Sequence, residues 1–353
     1  MTREGLRLTD YRPRQALRRT EHPVDRPAFP VIDAHNHLGP VFGGDWAGRP
    51  VAELLAAMDA AGVEAMVDLD GGFGERLDAA IARWQTPHPA RFVVFAGLDP
   101  EAWAMDPDFG STEATRLRDS VRRGARGLKV WKTLGLGARD PEGRLVLPDD
   151  DRLGPLWDAA AALGIPVLIH IADPVAFFEP LDATNERWEE LVGHPDWHFW
   201  PPLDDAHPQG FPTFDALIDS LDRLLGRHPG TTFIGAHVGC AAEDLDRVSS
   251  MLAAHPNYHV DIAARLGELG RQPYVAREFF VRWADRVVFG TDMPGDPLTN
   301  RIYYRFLETR DESFPYDADD PPGQGRWRIF GLGLPDDILR RIYSDNARRL
   351  LGM

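Results

Sequence analysis

With 353 residues, 43% of them hydrophobic and 27% charged, the chain has the composition of a globular protein that buries a large core. A formal net charge of −16 argues against nucleic acid or an anionic membrane as the main partner, and no run approaches the roughly 20 apolar residues of a membrane helix. The single cysteine, Cys240, excludes an internal disulfide framework and predicts a reducing compartment, the cytoplasm.

The beginning of the chain, residues 1–28, is rich in arginine and lacks the apolar segment of a secretory signal. We expect these residues to form an N-terminal arm that packs on the rest of the molecule or on a partner subunit, or that stays a mobile tail. Residues 29–353 are expected to form one elaborated domain.

From residue 29 onward, short apolar runs alternate with longer amphipathic segments. The predicted strands are 30–35, 64–69, 91–98, 125–131, 165–171, 231–238, 257–263 and 286–292. The predicted helices include 51–62, 111–124, 151–164, 214–229, 274–285 and 334–351. Alternating strands and helices imply parallel strands joined by right-handed crossovers. Eight such units predict an α/β fold of the TIM type, a (β/α)₈ barrel, with a doubly wound open sheet as the alternative.

Two loop insertions follow predicted strands 5 and 8, at residues 173–210 and 293–334. Both lie after the carboxyl ends of strands, where barrel enzymes place their active sites, so we expect them to form a lid or a pocket wall. Several polar and aromatic residues of these insertions are candidates for lining the pocket. The alternative is that they belong to small satellite cores or to surface ion pairs. They are Glu179, Asn185, Trp188, Trp197, His198, Trp200, Arg301, Tyr304 and Arg305.

Polar side chains recur at the ends of the predicted strands. They are His35 and His37 of strand 1, His170 of strand 5, His237 of strand 6 and Asp292 of strand 8. In a closed barrel these ends converge on one pocket. Neutral imidazole and carboxylate are good ligands for zinc and neighbouring divalent metals, so the pattern predicts a metal site.

Four motifs resemble those of the amidohydrolase superfamily. They are "DAHNH" at 33–37, "LIHIADP" at 168–174, "FIGAHVG" at 233–239 and "VVFGTDMP" at 287–294. The chain is most similar to the amidohydrolase-related subfamily that contains aminocarboxymuconate semialdehyde decarboxylase and related decarboxylases, lactonases and hydrolases. This resemblance extends over about residues 29–352. It implies a metal-dependent enzyme that acts on a small molecule, usually as a homo-oligomer.

The resemblance also implies roles for the residues at the strand ends. His35, His37, His170 and Asp292 would bind the metal, and His237 would orient the substrate and water or transfer a proton. Asp292 would also accept a proton from water. Asp33 shares the face of the two strand 1 histidines, and we expect it to fix that strand through hydrogen bonds.

Lys129, in "GLKVWKTLG", leaves two alternatives for the metal content. In other branches of the superfamily a carbamylated lysine at this strand bridges two metals, whereas the branch that this chain most resembles usually uses one metal. We favour one ion, zinc or alternatively manganese. Lys129 would then pair with a substrate carboxylate, or its neighbour Lys132 would do so instead.

The favoured function is hydrolysis of a small amide, lactone or related carbonyl compound by metal-activated water. The alternative is non-oxidative decarboxylation of an aromatic or unsaturated acid on the same metal site. A barrel that binds metal or ligand without turnover is a third class, against which His237 argues, because a purely structural metal needs no additional histidine.

Overall fold

Eight short parallel strands form two hydrogen-bonded sheets in the computed structural model, which describes residues 5, 7, 10–14, 16, 18–39 and 46–353. The first sheet has the order β1-β2-β3 and the second the order β4-β5-β6-β7-β8. The strands are β1 (Val31–Asn36), β2 (Val63–Asp68), β3 (Phe92–Val94), β4 (Leu128–Val130), β5 (Val167–Ile169), β6 (Phe233–Gly235), β7 (Tyr258–Asp261) and β8 (Val287–Val288).

Backbone hydrogen bonds join the two sheets at both edges. After β3, the N–H of Ala96 donates to the carbonyl of Gly127 over 2.8 Å. At the other edge, the N–H of Ala34 in β1 donates to the carbonyl of Phe289 over 2.9 Å. The strands therefore follow one another around a barrel in chain order, and the predicted TIM-type fold is confirmed.

Strands β3 to β8 are shorter than the sequence predicts, because the predicted runs leave the sheet before they end, whereas β1 and β2 have the predicted length. The sixth run, for example, was expected to continue to residue 238, but β6 stops at Gly235. The next residues turn sharply, since His237 and Val238 have φ angles of 56° and 59°. The apolar run thus predicts the existence of the strand. The last residues of the run, however, form the loop that enters the site.

Fourteen α-helical segments surround and connect the strands in the described part of the chain. They are α1 (Val51–Ala61), α2 (Gly74–Ala80), α3 (Phe109–Arg123), α4 (Thr133–Leu136), α5 (Gly154–Leu163), α6 (Trp188–Gly193), α7 (Phe214–Arg227), α8 (Ala236–Gly239), α9 (Leu245–Ala254), α10 (Leu266–Arg271), α11 (Pro273–Arg282), α12 (Pro297–Glu308), α13 (Asp336–Arg340) and α14 (Asn346–Leu351). A π-helical turn, Arg341–Asp345, joins the last two into one closing helix.

Apolar side chains form two layers that follow the alternation of the strands. Ile32, Ala65 and Ile234 belong to a cluster that fills the barrel interior. Their chain neighbours, such as Val31 and Phe233, belong to the larger cluster between strands and helices. This alternation is the period of two expected for strands, and it directs each polar residue at a strand end either towards or away from the barrel axis.

The N-terminal arm contacts the barrel through its described residues. The N–H of His22 donates to a carboxylate oxygen of Asp311 over 2.7 Å, and the N–H of Ala28 donates to Glu308 over 2.9 Å. The division between arm and barrel stays a prediction. In the part of the chain that the structure describes, no helix is long and apolar enough to cross a membrane.

Candidate metal centre

His35, at the end of β1, lies at the centre of the site and is completely buried. Its Nδ1 is 2.8 Å from a carboxylate oxygen of Asp261, which ends β7. Because a carboxylate only accepts, Nδ1 carries the proton and the lone pair of Nε2 faces the pocket. Burial lowers the pKa of His35 well below its usual value and raises the pKa of Asp261 to about 6.

His37 is positioned in the same way by the strand next to it. Its Nδ1 is 2.8 Å from Asp70, which lies two residues beyond the end of β2. Burial acts to raise the pKa of Asp70, but the hydrogen bonds with His37 and with the N–H of Gly39 help to outweigh it, so the pKa is lowered. A histidine that donates through Nδ1 to a carboxylate presents Nε2 as a metal ligand.

Asp292 completes a group of three possible ligands. Its Oδ1 is 3.5 Å from Nε2 of His37 and 3.8 Å from Nε2 of His35. In a tetrahedral zinc site with ligand bonds of about 2.1 Å, ligand atoms lie roughly 3.4 Å apart, so the three donors fit one ion. The structure contains no ion, and these residues form one of the groups whose geometry could hold one.

Asp292 is held in an unusual backbone conformation beside the pocket. Its φ is 63°, a left-handed conformation that is rare for residues other than glycine, and its N–H donates to the carbonyl of His35 over 2.9 Å. The side chain remains 26% exposed. Burial of the group raises the pKa of its carboxyl, which favours proton uptake there.

His237 enters the pocket from the turn after β6. Its N–H donates to Asp261 over 2.8 Å, and its Nδ1 is 2.8 Å from the carbonyl oxygen of Ala263. Since a carbonyl only accepts, Nδ1 carries the proton and Nε2 is free to accept one. Burial, with further contributions from neighbouring groups such as His170, lowers the pKa of His237 well below its usual value. The ring is therefore neutral.

His170 lines the same pocket but stands outside the group of His35, His37 and Asp292. Its Nε2 is 3.0 Å from the carbonyl oxygen of Ala172 and 3.4 Å from Asp173. Burial lowers the pKa of His170 to about 4 despite the opposing effect of Asp173. Its predicted role as a metal ligand stays a prediction.

The two lysines that the sequence singled out have different surroundings. Lys129, in β4, is fully buried, and its Nζ lies 3.4 Å from Nε2 of His35. Burial lowers the pKa of Lys129 to about 8. Lys132 instead forms an ion pair with Asp173 at the pocket wall. Lys129 thus lies beside a predicted ligand, whereas Lys132 lies farther along the wall.

The pocket above the predicted ligands has a volume of about 200 Å³. Aromatic rings form much of its wall, including Trp131, Phe177 and Trp197. Trp131 stacks obliquely on His37 with a distance of 4.6 Å between ring centroids. Of the residues proposed in the insertion after strand 5, Trp197 reaches this wall. The pocket therefore suits a small, flat molecule.

Arg265 is a charged residue of the pocket that the sequence did not single out. It is 5% exposed, and its Nη1 donates to the carbonyl of Ala264 over 2.8 Å. Among the described residues it forms no ion pair within 4.0 Å. Burial acts to lower the pKa of Arg265, but the more distant carboxylates of Glu268, Glu243 and Asp173 raise it. The guanidinium is therefore a buried cation at a pocket wall.

Asp70 and Asp261 were also missed, although a signal for them exists. Each lies at or just after the end of a predicted strand, as the singled-out histidines do. Asp33 was noted, but its carboxylate binds Thr291, with a distance of 2.6 Å between the hydroxyl and Oδ2. These hydrogen bonds hold β1 against the segment before Asp292.

Three solved structures illustrate what the fold is similar to. A 2,6-dihydroxybenzoate decarboxylase from Rhizobium has a TM-score of 0.56 at 18% identity, with 92% of this chain and 98% of that chain covered. A 5-carboxyvanillate decarboxylase from Sphingomonas paucimobilis has a TM-score of 0.54 at 14% identity, covering 92% and 99%. A manganese-bound dihydroxybenzoic acid decarboxylase from Polaromonas has a TM-score of 0.54 at 16% identity, covering 92% and 97%.

At these identities the similarity establishes the fold. A comparison with curated protein sequences gives no match. The sequence profile of the amidohydrolase family, in contrast, matches residues 32–353, which is nearly the whole barrel. This match agrees with the strand-end motifs and with the donor group at His35, His37 and Asp292. The chain therefore belongs to the amidohydrolase family of metal-dependent enzymes.

Proposed function

We propose that this enzyme hydrolyses a small amide, lactone or related carbonyl compound that carries an anionic group. The observation that carries the proposal is the position of Asp292. Its carboxylate reaches both Nε2 atoms of His35 and His37, yet it remains partly open to the pocket. One carboxylate can thus face a metal and accept a proton from water, the two tasks that hydrolysis requires.

One divalent ion, zinc in preference to manganese, would be held by His35, His37 and Asp292, with His170 as the further ligand that the sequence predicts. When bound, such an ion polarises a carbonyl group and makes water acidic enough to lose a proton near neutral pH. A catalytic zinc ion differs from a structural one in keeping a position open for water or substrate beside its protein ligands. Lys129 would remain beside the ion as an amine that pairs with the substrate.

The protein side chains divide the proton transfers between them. Asp292 takes a proton from the attacking water and passes it to the leaving group. His237 accepts a hydrogen bond at Nε2, because its Nδ1 is committed to Ala263. It therefore orients the water rather than acting as a cation.

The anionic part of the substrate would bind Arg265. A buried guanidinium whose N–H groups are not all hydrogen-bonded forms a strong, charge-assisted ion pair with a carboxylate that enters the pocket. The aromatic wall formed by Trp131 and Phe177 would hold a flat acyl group beside it. This arrangement predicts that neutral analogues of a substrate bind less tightly than anionic ones.

Decarboxylation of an aromatic acid is the second candidate. It is favoured by the combination of Arg265 with aromatic walls, and the structural neighbours named above include decarboxylases of hydroxylated aromatic acids. In that reaction the carboxylate would be lost and a proton would be delivered to the ring carbon. Asp292 would again supply the proton.

Metal analysis is the first test. Protein purified without chelator is expected to contain about one equivalent of zinc or manganese, and the double variant His35→Ala/His37→Ala is expected to contain none. About two equivalents would support a bridging role for Lys129. A wild-type protein that contains no metal and takes up none on reconstitution would contradict the proposed mechanism.

Isotope labelling distinguishes the two reactions. A panel of lactones, amides and aromatic acids, including 2,6-dihydroxybenzoate, is incubated in H₂¹⁸O and separately in D₂O. Hydrolysis places ¹⁸O in the product acid, whereas decarboxylation places deuterium on carbon and releases CO₂. The variant His237→Gln should keep its metal and lose roughly 10²–10⁴-fold in rate. Full activity in this variant would remove His237 from the mechanism.

The cytoplasmic location and the homo-oligomeric state of the enzyme stay predictions. Size-exclusion chromatography with light scattering tests the second of these directly.

A further inference from the structure

A second cavity, also about 200 Å³ in volume, lies beside the active-site pocket. Its wall includes Thr291 and Met293, the two chain neighbours of Asp292, together with Tyr303 and Tyr316. The side chain of Asp292 itself belongs to the active-site pocket. The two spaces therefore lie on opposite sides of the segment that carries the proposed proton acceptor.

Ala264 and Gln324 line both spaces, so they form the partition between them. The Nε2 of Gln324 donates to the carbonyl oxygen of Ala264 over 3.2 Å, which is long for a hydrogen bond. That carbonyl also accepts a shorter bond from Arg265, so it keeps a partner when the carboxamide leaves. The side chain of Gln324 is thus the part of the partition that moves at little energetic cost.

The other half of the partition is fixed. Ala264 has a φ of 52°, and its N–H donates to the hydroxyl oxygen of Tyr303 over 2.8 Å. Its backbone is therefore held from both sides, by Tyr303 and by the guanidinium of Arg265. Only the half-buried carboxamide of Gln324 varies the opening between the two spaces.

The second cavity favours a neutral, mainly apolar group. Its hydroxyl groups already have partners within the protein: Thr291 binds Asp33, and Thr299 binds Asp296. Hydrogen-bonding groups that already have partners add little affinity for a ligand. The remaining lining consists of Leu266, Met293 and tyrosine rings, and the carboxylate of Asp317 disfavours anions.

We propose that the second cavity is the leaving-group subsite of this enzyme and that Gln324 determines the size of the group it accepts. The inference rests on the proposed hydrolytic function and specifies its substrate class. The substrate has an anionic acyl part, which binds at Arg265, and a neutral apolar amine or alcohol part, which passes Gln324. The bond that breaks lies between the two spaces, next to Asp292.

Three probes of increasing size test the subsite: succinamic acid, N-butylsuccinamic acid and N-phenylsuccinamic acid. Each has the carboxylate and the amide, and only the neutral group changes. Their dissociation constants are measured by calorimetry on zinc-loaded enzyme, and release of aniline from the phenyl compound is followed separately. Wild-type enzyme is expected to bind the phenyl compound about tenfold more tightly than succinamic acid.

Two variants should change that ratio in opposite directions. Gln324→Ala widens the opening and is expected to raise the preference for the phenyl compound at least threefold. Met293→Trp, at a side chain that is 51% exposed, fills the cavity and should abolish the preference without affecting succinamic acid. Leu298→Trp is the matched control, because this neighbouring residue is 55% exposed and lines a different surface.

The outcomes separate the two proposals. The subsite would be overturned if neither variant changed the ratio of the dissociation constants of succinamic acid and the phenyl compound. It would also be overturned if wild-type enzyme bound none of the probes. If the dissociation constants follow the expected pattern but no aniline is released, the result would support the subsite and count against amide hydrolysis. Equal effects of Met293→Trp and Leu298→Trp would show that the cavity is not involved.

Discussion

The proton on His35 determines which of its nitrogen atoms can bind a metal. Asp261 accepts from Nδ1 and so leaves the lone pair on Nε2, 3.8 Å from Asp292. The same carboxylate accepts the N–H groups of His237 and Ala263. One buried aspartate therefore sets both the tautomer of a predicted ligand and the position of His237.

Replacing this aspartate with asparagine should weaken metal binding. In Asp261→Asn the amide NH₂ would donate to Nδ1 of His35, which moves the ring proton to Nε2 and blocks it. We expect zinc affinity to fall about 10–100-fold, measured by competition with a chromophoric chelator. Asp140→Asn, at another buried aspartate that binds Arg144, is the control and should leave zinc affinity unchanged. Wild-type affinity in Asp261→Asn would show that Nδ1 is not the protonated atom.

Sequence reasoning identified the residues at strand ends better than those in loops. His35, His37, His237 and Asp292 follow apolar runs, and the barrel brings them together. Arg265 follows β7 in an irregular turn, next to a left-handed alanine, where no periodic pattern marks its direction. Residues of this kind become visible only when the loop conformation is known.

At the scale of elements, β1 and β8 meet at a close contact beside the site. A Cβ added at Gly290 would lie 2.9 Å from Cβ of His35, closer than side chains tolerate. Glycine therefore lets the segment after β8 approach the strand that carries the predicted ligands. The contact couples the closure of the barrel to the position of His35.

The variant Gly290→Ala tests this coupling. It should lower the free energy of unfolding by about 1–3 kcal/mol and also weaken zinc binding, because His35 must shift. Gly154→Ala is the matched control, since its added Cβ would lie 3.8 Å from the nearest atom and the residue begins a helix. Urea denaturation and a zinc titration measure the two effects. A stability loss without any change in zinc affinity would contradict the coupling.

One of the contacts between the described part of the N-terminal arm and the barrel is made by the buried carboxylate of Asp311. Asp311 accepts from the N–H of His22 over 2.7 Å and from Nε of Arg305, also over 2.7 Å. Burial acts to raise the pKa of Asp311, but these hydrogen bonds outweigh it and lower the pKa. The charged form is therefore favoured in the folded protein, and its contribution to stability exists only where the carboxylate is ionised.

Asp311→Asn should lower the free energy of unfolding by about 1–3 kcal/mol at pH 7. The difference from wild type should begin to shrink as the pH falls below about 4, the ordinary pKa of an aspartate, because the carboxylate of the unfolded wild-type chain then becomes protonated. It is lost completely once the pH has fallen through the lower pKa of the folded protein. Urea denaturation between pH 7 and pH 3 measures this. A difference that persists unchanged at pH 3 would show that the charge of Asp311 does not hold the arm.

At the scale of the molecule, the metal site links the two sheets. His35 and His37 follow the first sheet, whereas Asp292 follows the last strand of the second. An ion held by all three would therefore stabilise the closed barrel against unfolding. Free zinc at 100 times its dissociation constant should raise the free energy of unfolding by about 2.7 kcal/mol. Thermal unfolding with and without a chelator measures the effect, and His35→Ala/His37→Ala should show none.

The overall architecture was predictable because it depends on repetition. Eight apolar runs separated by amphipathic segments indicate a barrel whatever the details of each loop. The insertions were recognisable by length, but their structure was not, because their contacts depend on distant parts of the chain. Trp327, for instance, packs between Arg187, which precedes α6, and Arg271, the last residue of α10.

The left-handed residues His237, Val238 and Asp292 have a consequence for engineering this enzyme. Such turns depend on a fixed number of residues, so insertions or deletions at these strand ends would misplace the predicted ligands. Between Phe314 and Leu332, in contrast, the described backbone has no residue with positive φ. This segment carries Gln324, so substitutions within it would change the proposed specificity residue without altering the left-handed turns that hold the predicted ligands.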